Sequence, residues 1–402
     1  MIARYRALFS VPGFSRLLVS SVLGRLPAGM FSLAILLFVH AHTGSFLSAG
    51  VAVGAFTLSS ALTGPALGAL VDRVGQTRVL LPSACCQAAL LTALVLVAHA
   101  GAPTTAIFAL SALSGACQPP VAGCIRALWP HVAGEGEQLE TIYALDATTQ
   151  EVIWTLGPLL VGSSVAFVSP DAGVLACAAI TLCGTLFFAS SKLSSGWQAP
   201  PARERTRGGA LASHGLRALL GTVALAGVVI GAIEVGLPAL ASEDSARWAS
   251  GPLLALFSMG SMAGGLLYSA RSWRLAIAPR YSALLLAMAV AVAPLAAVHS
   301  LAGAFLLSAV AGLGLAPMMS AQFSLVGALA AASATTEAFT WHRAATIAGM
   351  AAGSSLGGSL VDTHGASAAF ALGCTGVTLA WLLAEAWRGR IDPGPVVEAA
   401  AL

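Results

Sequence analysis

The sequence predicts an all-α integral membrane protein whose twelve transmembrane helices form two pseudo-symmetric six-helix bundles. Composition is the first observation behind this prediction: 57% of the 402 residues are hydrophobic and only 9% are charged, whereas about a quarter of the residues of an ordinary globular domain are charged. The second observation is a series of apolar runs, each long enough to cross a bilayer, which takes about 20 residues. The third is an internal repeat that relates the two halves.

Twelve apolar runs follow one another along the chain, and each is predicted to form one tilted transmembrane helix. In order, the runs cover residues 14–39, 45–70, 77–98, 104–128, 142–168, 172–190, 215–240, 248–269, 277–298, 301–327, 338–361 and 366–387. The short connections between them leave no room for a soluble domain.

One long polar segment, residues 192–213, interrupts the series after the sixth run. It combines arginines with glycines and prolines, a composition typical of a flexible linker. We therefore predict an amino-terminal bundle over residues 1–191 and a carboxyl-terminal bundle over residues 214–402.

The positions of the arginines predict the orientation, because lysine and arginine are retained on the cytoplasmic side during insertion. Arginines flank alternate connections, and the opposite connections carry Arg247 alone. We therefore expect the linker and both termini to be cytoplasmic. The preference for arginine and alanine over lysine indicates a GC-rich bacterial genome, so the expected location is the bacterial inner membrane.

The two halves repeat each other weakly but in a consistent register. The matched residues, separated by 197 or 196 positions, are Gly115 with Gly312, Pro120 with Pro317, Gly157 with Gly353, and Gly162 with Gly358. Duplication of six spans is typical of transporters, since two similar bundles can rock around a site between them.

The same composition excludes several classes of protein. The net charge of +3 is spread over many loops, which excludes the clustered basic face of a nucleic-acid-binding protein. The seven cysteines lie in apolar runs without paired Cys-x-x-Cys spacing, and histidines such as His42 and His99 fall in short connections, where we interpret them as solvated loop residues. With no nucleophile–base pair or phosphate-binding loop in the sequence, we predict neither an enzyme nor an ATP-driven pump, and no metal or cofactor.

A charged motif lies between the second and third runs. Its residues are Gly68, Asp72, Arg73, Gly75 and Arg78. The motif resembles the Gly-x-x-x-Asp-Arg-x-Gly signature that the major facilitator superfamily carries between spans two and three, with Gln76 in place of the usual basic residue. The resemblance extends over essentially the whole chain and implies that the motif closes the cytoplasmic side against the other half, with Arg126 as a partner for Asp72. Asp72 can also accept hydrogen bonds from a helix N-terminus. The alternative is that the motif only ends helices and fixes topology.

Two glycine-containing elements resemble parts of exporters in this superfamily. Gly157, Pro158 and Gly162 are similar to an antiporter element that bends the fifth span, which favours export by proton exchange; close packing without bearing on direction is the alternative. Residues 336–341, followed by glycines about every four residues, are similar to the eleventh span of bacterial exporters. His342 and Arg343 there are interpreted as cytoplasmic anchors, with substrate contact as the alternative.

Ionisable residues inside the spans are the strongest candidates for a functional role. Burying such a side chain in the bilayer costs at least a few kcal/mol unless it faces a cavity or a partner. A carboxylic acid in an apolar wall can exchange protons near neutral pH. We predict proton coupling through Glu234 first and Glu151 second, with static ion pairs as the alternative. Asp146, nearer the cytoplasmic end, is interpreted as a partner for an arginine.

The resemblance implies that spans one, four, seven and ten line a central cavity. The candidates for contact with substrate are Arg25, Glu234, Gln322, Phe31 and Phe257, with Tyr268, Phe323 and Trp154 as further aromatic residues. Walls of this composition suit amphipathic organic molecules better than sugars, which need many hydrogen-bond partners to replace water.

Together these features predict a monomeric secondary active transporter that works by alternating access. Its expected partners are a small-molecule substrate, the proton gradient and membrane lipids, and its expected activity is the efflux of small amphipathic organic molecules in exchange for protons. Two alternatives stay open: a proton-coupled importer of a small metabolite, and a non-transporting membrane receptor or scaffold with the same fold.

Overall fold

The computed structural model describes residues 13–133, 136–197, 209–243, 246, 249–271, 273, 275–298 and 300–393. Within these residues every regular element is a helix. The predictions for the first twelve residues, for linker residues 198–208, for Arg247 and for residues 394–402 lie outside the described residues.

Six long helices form the amino-terminal half. They are α1 (Phe14–Thr43), α2 (Phe46–Val74), α3 (Gln76–His99), α4 (Thr104–Ala133), α5 (Glu137–Phe167) and α6 (Pro170–Ala189). A 3₁₀ turn at Leu26–Gly29 divides α1, and α4 is divided between Ala116 and Val121. A proline lies in each division, where its ring and missing N–H prevent a continuous helix.

Six more helices form the carboxyl-terminal half. They are α7 (His214–Glu243), α8 (Ser250–Ala270), α9 (Ile277–Val292), α10 (Leu301–Leu329), α11 (Thr335–His364) and α12 (Ala366–Ala386). Between the halves lie a short helix at Lys192–Ser195 and a 3₁₀ turn at Ala210–Ala212. We call the end of the bundle that carries these two short elements the linker end, and the opposite end the far end.

Eleven helices among the described residues are long and apolar enough to cross a membrane. The remaining long helix, α5, is more polar than these because Glu140, Asp146 and Glu151 lie along it. The architecture is therefore an all-helical membrane fold, and the predicted count of twelve spans is consistent with it.

The glycines of the internal repeat make matching contacts in both halves. A Cβ on Gly115 would lie 2.1 Å from the Phe56 carbonyl oxygen of α2, and a Cβ on Gly312 would lie 2.1 Å from the Phe257 carbonyl oxygen of α8. Gly115 lies just before the division of α4, and Gly312 ends the first piece of α10, which is divided between Gly312 and Leu315. The repeat therefore reflects the same close helix packing twice, which small residues permit in membranes.

The apolar core reveals how the halves meet. One buried cluster runs through the carboxyl-terminal half and continues into the linker end of the other half, where it includes Phe14, Val71 and Trp129. The far end of the amino-terminal half has a separate cluster, from Leu26 to Ala178. The two halves thus share a core at the linker end and not at the far end of the described structure.

The glycine-rich face of α11 supplies a stability prediction with an internal control. A Cβ on Gly353 would lie 2.2 Å from the Val228 carbonyl oxygen of α7, whereas Gly358 has open space around it. We expect Gly353→Val to destabilise the protein by about 1–3 kcal/mol, because overpacking forces the helices apart. Gly358→Val should change stability by less than about 0.5 kcal/mol. Thermal unfolding of the purified variants measures both, and equal losses would show that α7 and α11 do not pack through Gly353.

Candidate functional site

Three charged side chains meet in the interior of the amino-terminal half. Arg25 Nη1 lies 2.8 Å from Asp146 Oδ1, and Arg126 Nε lies 2.7 Å from Asp146 Oδ2. Their side chains are 2%, 4% and 0% exposed in the order Arg25, Arg126, Asp146. We call them the arginine–aspartate triad. It carries two positive charges against one negative charge, and Arg25 Nη2 has no hydrogen-bond partner.

The local chain structure brings the triad together. Arg25 is the last residue before the 3₁₀ turn of α1, and Arg126 lies in the second piece of α4. Asp146 lies on α5 and was expected near the cytoplasmic end as a partner for one arginine; it is instead fully buried and pairs with two. Opposite charges at this depth attract one another strongly because the surroundings have a low dielectric constant, and loss of one partner would leave the other charge uncompensated.

Arg126 also links the two halves. Its guanidinium lies 3.8 Å from the centre of the Phe323 ring of α10, in a cation–π contact. The Phe323 ring in turn meets His342 of α11 edge-on, with the ring centres 5.2 Å apart. The triad is therefore in contact with the helices that would have to move if the halves rocked apart.

Asp72 joins the halves in another way. Its carboxylate accepts hydrogen bonds from the backbone N–H groups of Thr336, at 3.2 Å, and Glu337, at 2.8 Å. These groups belong to the first turn of α11, where N–H groups lack partners within the helix and the helix dipole is positive. The expected pairing of Asp72 with Arg126 is wrong, because the helix N-terminus satisfies Asp72 and Arg126 is bound to Asp146.

The other residues of the charged motif have distinct surroundings. Gly75 has φ +103°, a backbone conformation that favours glycine, between α2 and α3. Arg73 and Arg78 are exposed. Gln76, the departure from the family signature, is fully buried: its Nε2 donates to the Cys124 carbonyl oxygen, and the Ser194 hydroxyl donates to its Oε1. This amide thus ties α3 to α4 and to the segment after α6.

Further contacts between the halves lie along α5, at Glu140 near the linker end and at Glu151 near the middle of the helix. Glu140 of α5 accepts two hydrogen bonds from Arg280 of α9, at 2.8 and 2.6 Å. The Glu151 carboxyl of α5 lies near the Ser261 hydroxyl of α8. We call the contacts between the halves near the linker end the linker-end interface; its members include Gly68, Asp72, Glu140, Arg280, Thr336, Glu337 and Thr340.

A buried polar chain crosses the carboxyl-terminal half. Thr222 and Tyr281 share a hydrogen bond of 3.0 Å, Gln322 Nε2 donates to the Tyr281 hydroxyl at 3.3 Å, and His342 Nε2 donates to Gln322 Oε1 at 2.9 Å. Gln322 was a predicted residue, whereas Tyr281 was not, and His342, interpreted from the sequence as a cytoplasmic anchor, is instead buried in this polar chain. Polar residues buried in apolar spans were the available signal, since such groups need partners.

Arg343 follows His342 and turns toward the other half. Its Nη2 donates to Gln118 Oε1 at 3.0 Å, and the Ser60 hydroxyl donates to the same oxygen at 2.5 Å. Gln118 lies in the division of α4, where the helix is interrupted. Arg343 therefore adds a third guanidinium to the interior, bound by neutral groups in these hydrogen bonds.

Glu234 is exposed, in contrast to the other main candidates for contact with substrate, which are buried. It lies between Ala232, which approaches α12 at Gly373, and Gly236, which approaches Phe370 of α12. Two residues along a helix correspond to a rotation of about 200°, so Glu234 lies on the side of α7 away from α12.

The remaining predicted residues differ in burial: Phe31, Phe257 and Gly157 are buried in packing contacts, whereas Trp154 is 45% exposed. Phe31 is 2% exposed and its ring centre lies 4.7 Å from that of Phe56; Phe257 is 6% exposed. Gly157 approaches Gly29 of α1, where a Cβ would lie 2.5 Å from the backbone, while Gly162 has open space. Pro158 lies inside the uninterrupted helix α5.

Comparison with known sequences identifies a family. Residues 17–306 match the family described as the Major Facilitator Superfamily. A curated relative, the uncharacterized MFS-type transporter y4rN of Sinorhizobium fredii, is 29% identical over 185 residues. That alignment covers 44% of this chain and 45% of the relative, so the chain spans less than half of the curated protein it matches.

Solved structures share the fold over nearly the whole length. A bacterial homologue of the iron transporter ferroportin, in an outward-facing state, has a TM-score of 0.76 at 17% identity, over 93% of this chain and 99% of its own. The human organic anion transporter MFSD10 (TETRAN) has a TM-score of 0.70 at 18% identity, over 92% of this chain and 99% of its own. At these identities the likeness shows the fold alone.

Proposed function

We propose, from the premise that this chain belongs to the Major Facilitator Superfamily, that it couples the movement of protons to the export of small amphipathic organic anions. Membership of this family of secondary transporters, together with the multi-pass helical fold, supports secondary transport across a membrane. The proposal adds three points: the cargo is an organic anion, its movement is coupled to protons, and it leaves the cell.

The distribution of contacts supports alternating access. The halves share an apolar core at the linker end, while the far end of the amino-terminal half has its own core. Two bundles joined at one end can rock about a site between them. With the linker end in the cytoplasm, this arrangement is the outward-facing state, the state also given for the bacterial ferroportin homologue.

The buried positive charges support the proposal that the cargo is an anion. Arg25, Arg126 and Arg343 place three guanidinium groups in the interior, and Asp146 is the acid that pairs with the first two. An excess of buried positive charge is costly unless a partner offsets it. An amphipathic acid offers one negative charge to the arginines and an apolar body to the surrounding helices. MFSD10, a human organic anion transporter that shares this fold, has a cargo of this class.

Glu151 and Glu234 are the proposed proton carriers. Glu151 is 6% exposed and lies between α5 and α8, one from each half. Gain or loss of its proton therefore changes the charge at a contact that must break when the halves rock. Glu234 is accessible on α7, on the side away from α12, and would exchange protons with the transport pathway.

Transport into proteoliposomes tests the function. We expect a pH gradient to drive accumulation of a labelled aromatic sulfonate, which stays anionic, and not of a quaternary ammonium compound of similar size. Glu151→Gln and Glu234→Gln should abolish the gradient-driven accumulation while keeping exchange of the sulfonate across the membrane without a gradient, because coupling is lost and binding is kept.

Asp362→Asn is the matched control, since Asp362 is an exposed acid near the far end of α11; it should transport as the unaltered protein does. Preference for the ammonium compound would refute an anionic cargo. Full coupling in both glutamine variants would remove these glutamates from the mechanism. Absence of any flux over a broad panel would favour the receptor or scaffold.

The remaining proposals concern the location of the protein, its oligomeric state and its orientation in the membrane. We place the protein in the bacterial inner membrane as a monomer with both termini in the cytoplasm, because the arginines flank alternate connections. Import of a small metabolite is the competing direction, and it would appear as accumulation with the opposite dependence on the gradient.

A further inference from the structure

A cluster of metal-ligating side chains lies at the far end, away from the residues of the proposed transport mechanism. His42 ends α1, His99 ends α3 and Asp171 lies in the first turn of α6. His42 Nε2 lies 3.6 Å from Asp171 Oδ1, and His99 Nε2 lies 3.4 Å from Asp171 Oδ2. One ligand atom from each of the three residues lies within 4.8 Å of the others.

Hydrogen bonding favours His42 as a ligand. Its Nδ1 lies 3.0 Å from the Phe38 carbonyl oxygen. A carbonyl oxygen only accepts, so Nδ1 carries the proton and the lone pair of a neutral ring is on Nε2, which faces Asp171. Histidines that bind metals in proteins donate their other ring N–H in this manner, which fixes the tautomer and the orientation of the ring.

Asp171 is also available as a metal ligand. Its Oδ1 is buried and has no hydrogen-bond partner. An acceptor shielded from water without a donor is uncommon, because it loses the free energy of hydration. A cation beside Oδ1 would replace that hydration. The orphaned oxygen and the oriented imidazole are separate observations, and both point to the same position between the three side chains.

We propose that His42, His99 and Asp171 bind a divalent transition-metal ion of the zinc class. Metal–ligand bonds of about 2.0–2.1 Å in a tetrahedron place neighbouring ligand atoms about 3.3–3.4 Å apart, close to the two distances between the histidine nitrogens and Asp171. Two imidazoles and one carboxylate suit zinc better than Mg²⁺ or Ca²⁺, which prefer oxygen ligands. Because the His99 side chain is 59% exposed, water can occupy the fourth position.

The site joins helices of one half only. All three residues belong to the amino-terminal half, and they connect the far ends of α1, α3 and α6. A bound ion would hold these three ends together at the end where the halves do not share a core. The ion therefore stabilises the amino-terminal half and is distinct from the cargo.

Metal-dependent thermal unfolding of the full chain, purified without a histidine tag and treated with chelator, tests the proposal. Zn²⁺ should raise Tm to a plateau, and elemental analysis after removal of free metal should give one zinc ion per chain. Mg²⁺ at the same concentration should leave Tm unchanged. His42→Ala, His99→Ala and Asp171→Asn should each weaken the apparent zinc affinity about 10-fold or more.

His364→Ala is the matched control, because His364 is another exposed histidine at the far end, at the end of α11. It should keep the zinc response of the unaltered chain. If His42→Ala fails to fold, His99→Ala still decides the question, since the His99 side chain is largely exposed. A zinc response that His99→Ala leaves intact, or a Tm that follows pH and not Zn²⁺, would overturn the metal site.

Discussion

Replacement of Asp146 by asparagine is expected to destabilise the protein by about 3–5 kcal/mol, the cost of removing one partner from a buried ion pair. Asp146 is fully buried and binds both Arg25 and Arg126. Without its charge, two guanidinium groups remain in the interior with no carboxylate beside them. Unfolding of the detergent-purified variant, followed by heat, should show a large decrease in Tm.

A surface ion pair provides the control for this prediction. Glu385, in the last turn of α12, pairs with Arg388 just beyond the helix and also accepts a hydrogen bond from the Ser282 hydroxyl; both charged side chains are accessible to water, which screens their charges. Glu385→Gln should therefore cost no more than about 1 kcal/mol. Adding Arg126→Gln to Asp146→Asn should restore part of the lost stability, since it removes one of the unpaired charges. A decrease for Asp146→Asn no larger than that for Glu385→Gln would show that the triad is solvated.

The sequence predicted the fold well because the bilayer imposes simple rules. A spanning helix needs a long apolar run, and the runs end at charged or glycine-containing turns. The repeated glycines were predictive for the same reason: Gly115 and Gly312 occupy equivalent close contacts with α2 and α8. These features depend on local composition and on small residues at helix contacts, both of which are visible along the chain.

Pairing between distant side chains was harder to predict. The sequence identified Arg25, Arg126 and Asp146 as charged residues, but which of them meet depends on how far each helix is rotated. Arg126 was expected as a partner for Asp72 because the motif resembles the family signature that closes the cytoplasmic side. The structure shows that free backbone N–H groups at the start of α11 compete for the same carboxylate, and a sequence does not reveal which helix end a side chain faces.

The clustering of the far-end histidines with Asp171 was not predicted, for a related reason. His42 and His99 were interpreted as solvated loop residues because each falls in a short connection between apolar runs. Antiparallel packing brings the ends of α1 and α3 to the start of α6, so that three isolated residues become neighbours. Recognition of such a cluster requires the topology as well as the residues.

Replacement of Gly68 by valine is expected to prevent the linker-end interface from closing. A Cβ on Gly68 would lie 2.5 Å from Thr340 Oγ1 and 2.9 Å from Glu337 Cα, both in α11 of the other half. The clash exists only while the halves touch there. A cost of about 1–3 kcal/mol borne by one state alone shifts the equilibrium between states about 5- to 150-fold. Gly68→Val should therefore favour the state open at the linker end.

Hydrogen exchange measures this shift directly. The amides of Thr336 and Glu337 are protected by the Asp72 carboxylate across the interface, so they should exchange faster in Gly68→Val and in Asp72→Asn. Gly64→Val is the matched control, because Gly64 lies one turn earlier on α2 and has open space around it; its amide exchange should equal that of the unaltered chain. Unchanged protection in both Gly68→Val and Asp72→Asn would mean that the first turn of α11 is stable without α2. The contact would then fix the position of helices and would not govern how the halves open, because a contact regulates an equilibrium only if its free energy differs between the two states.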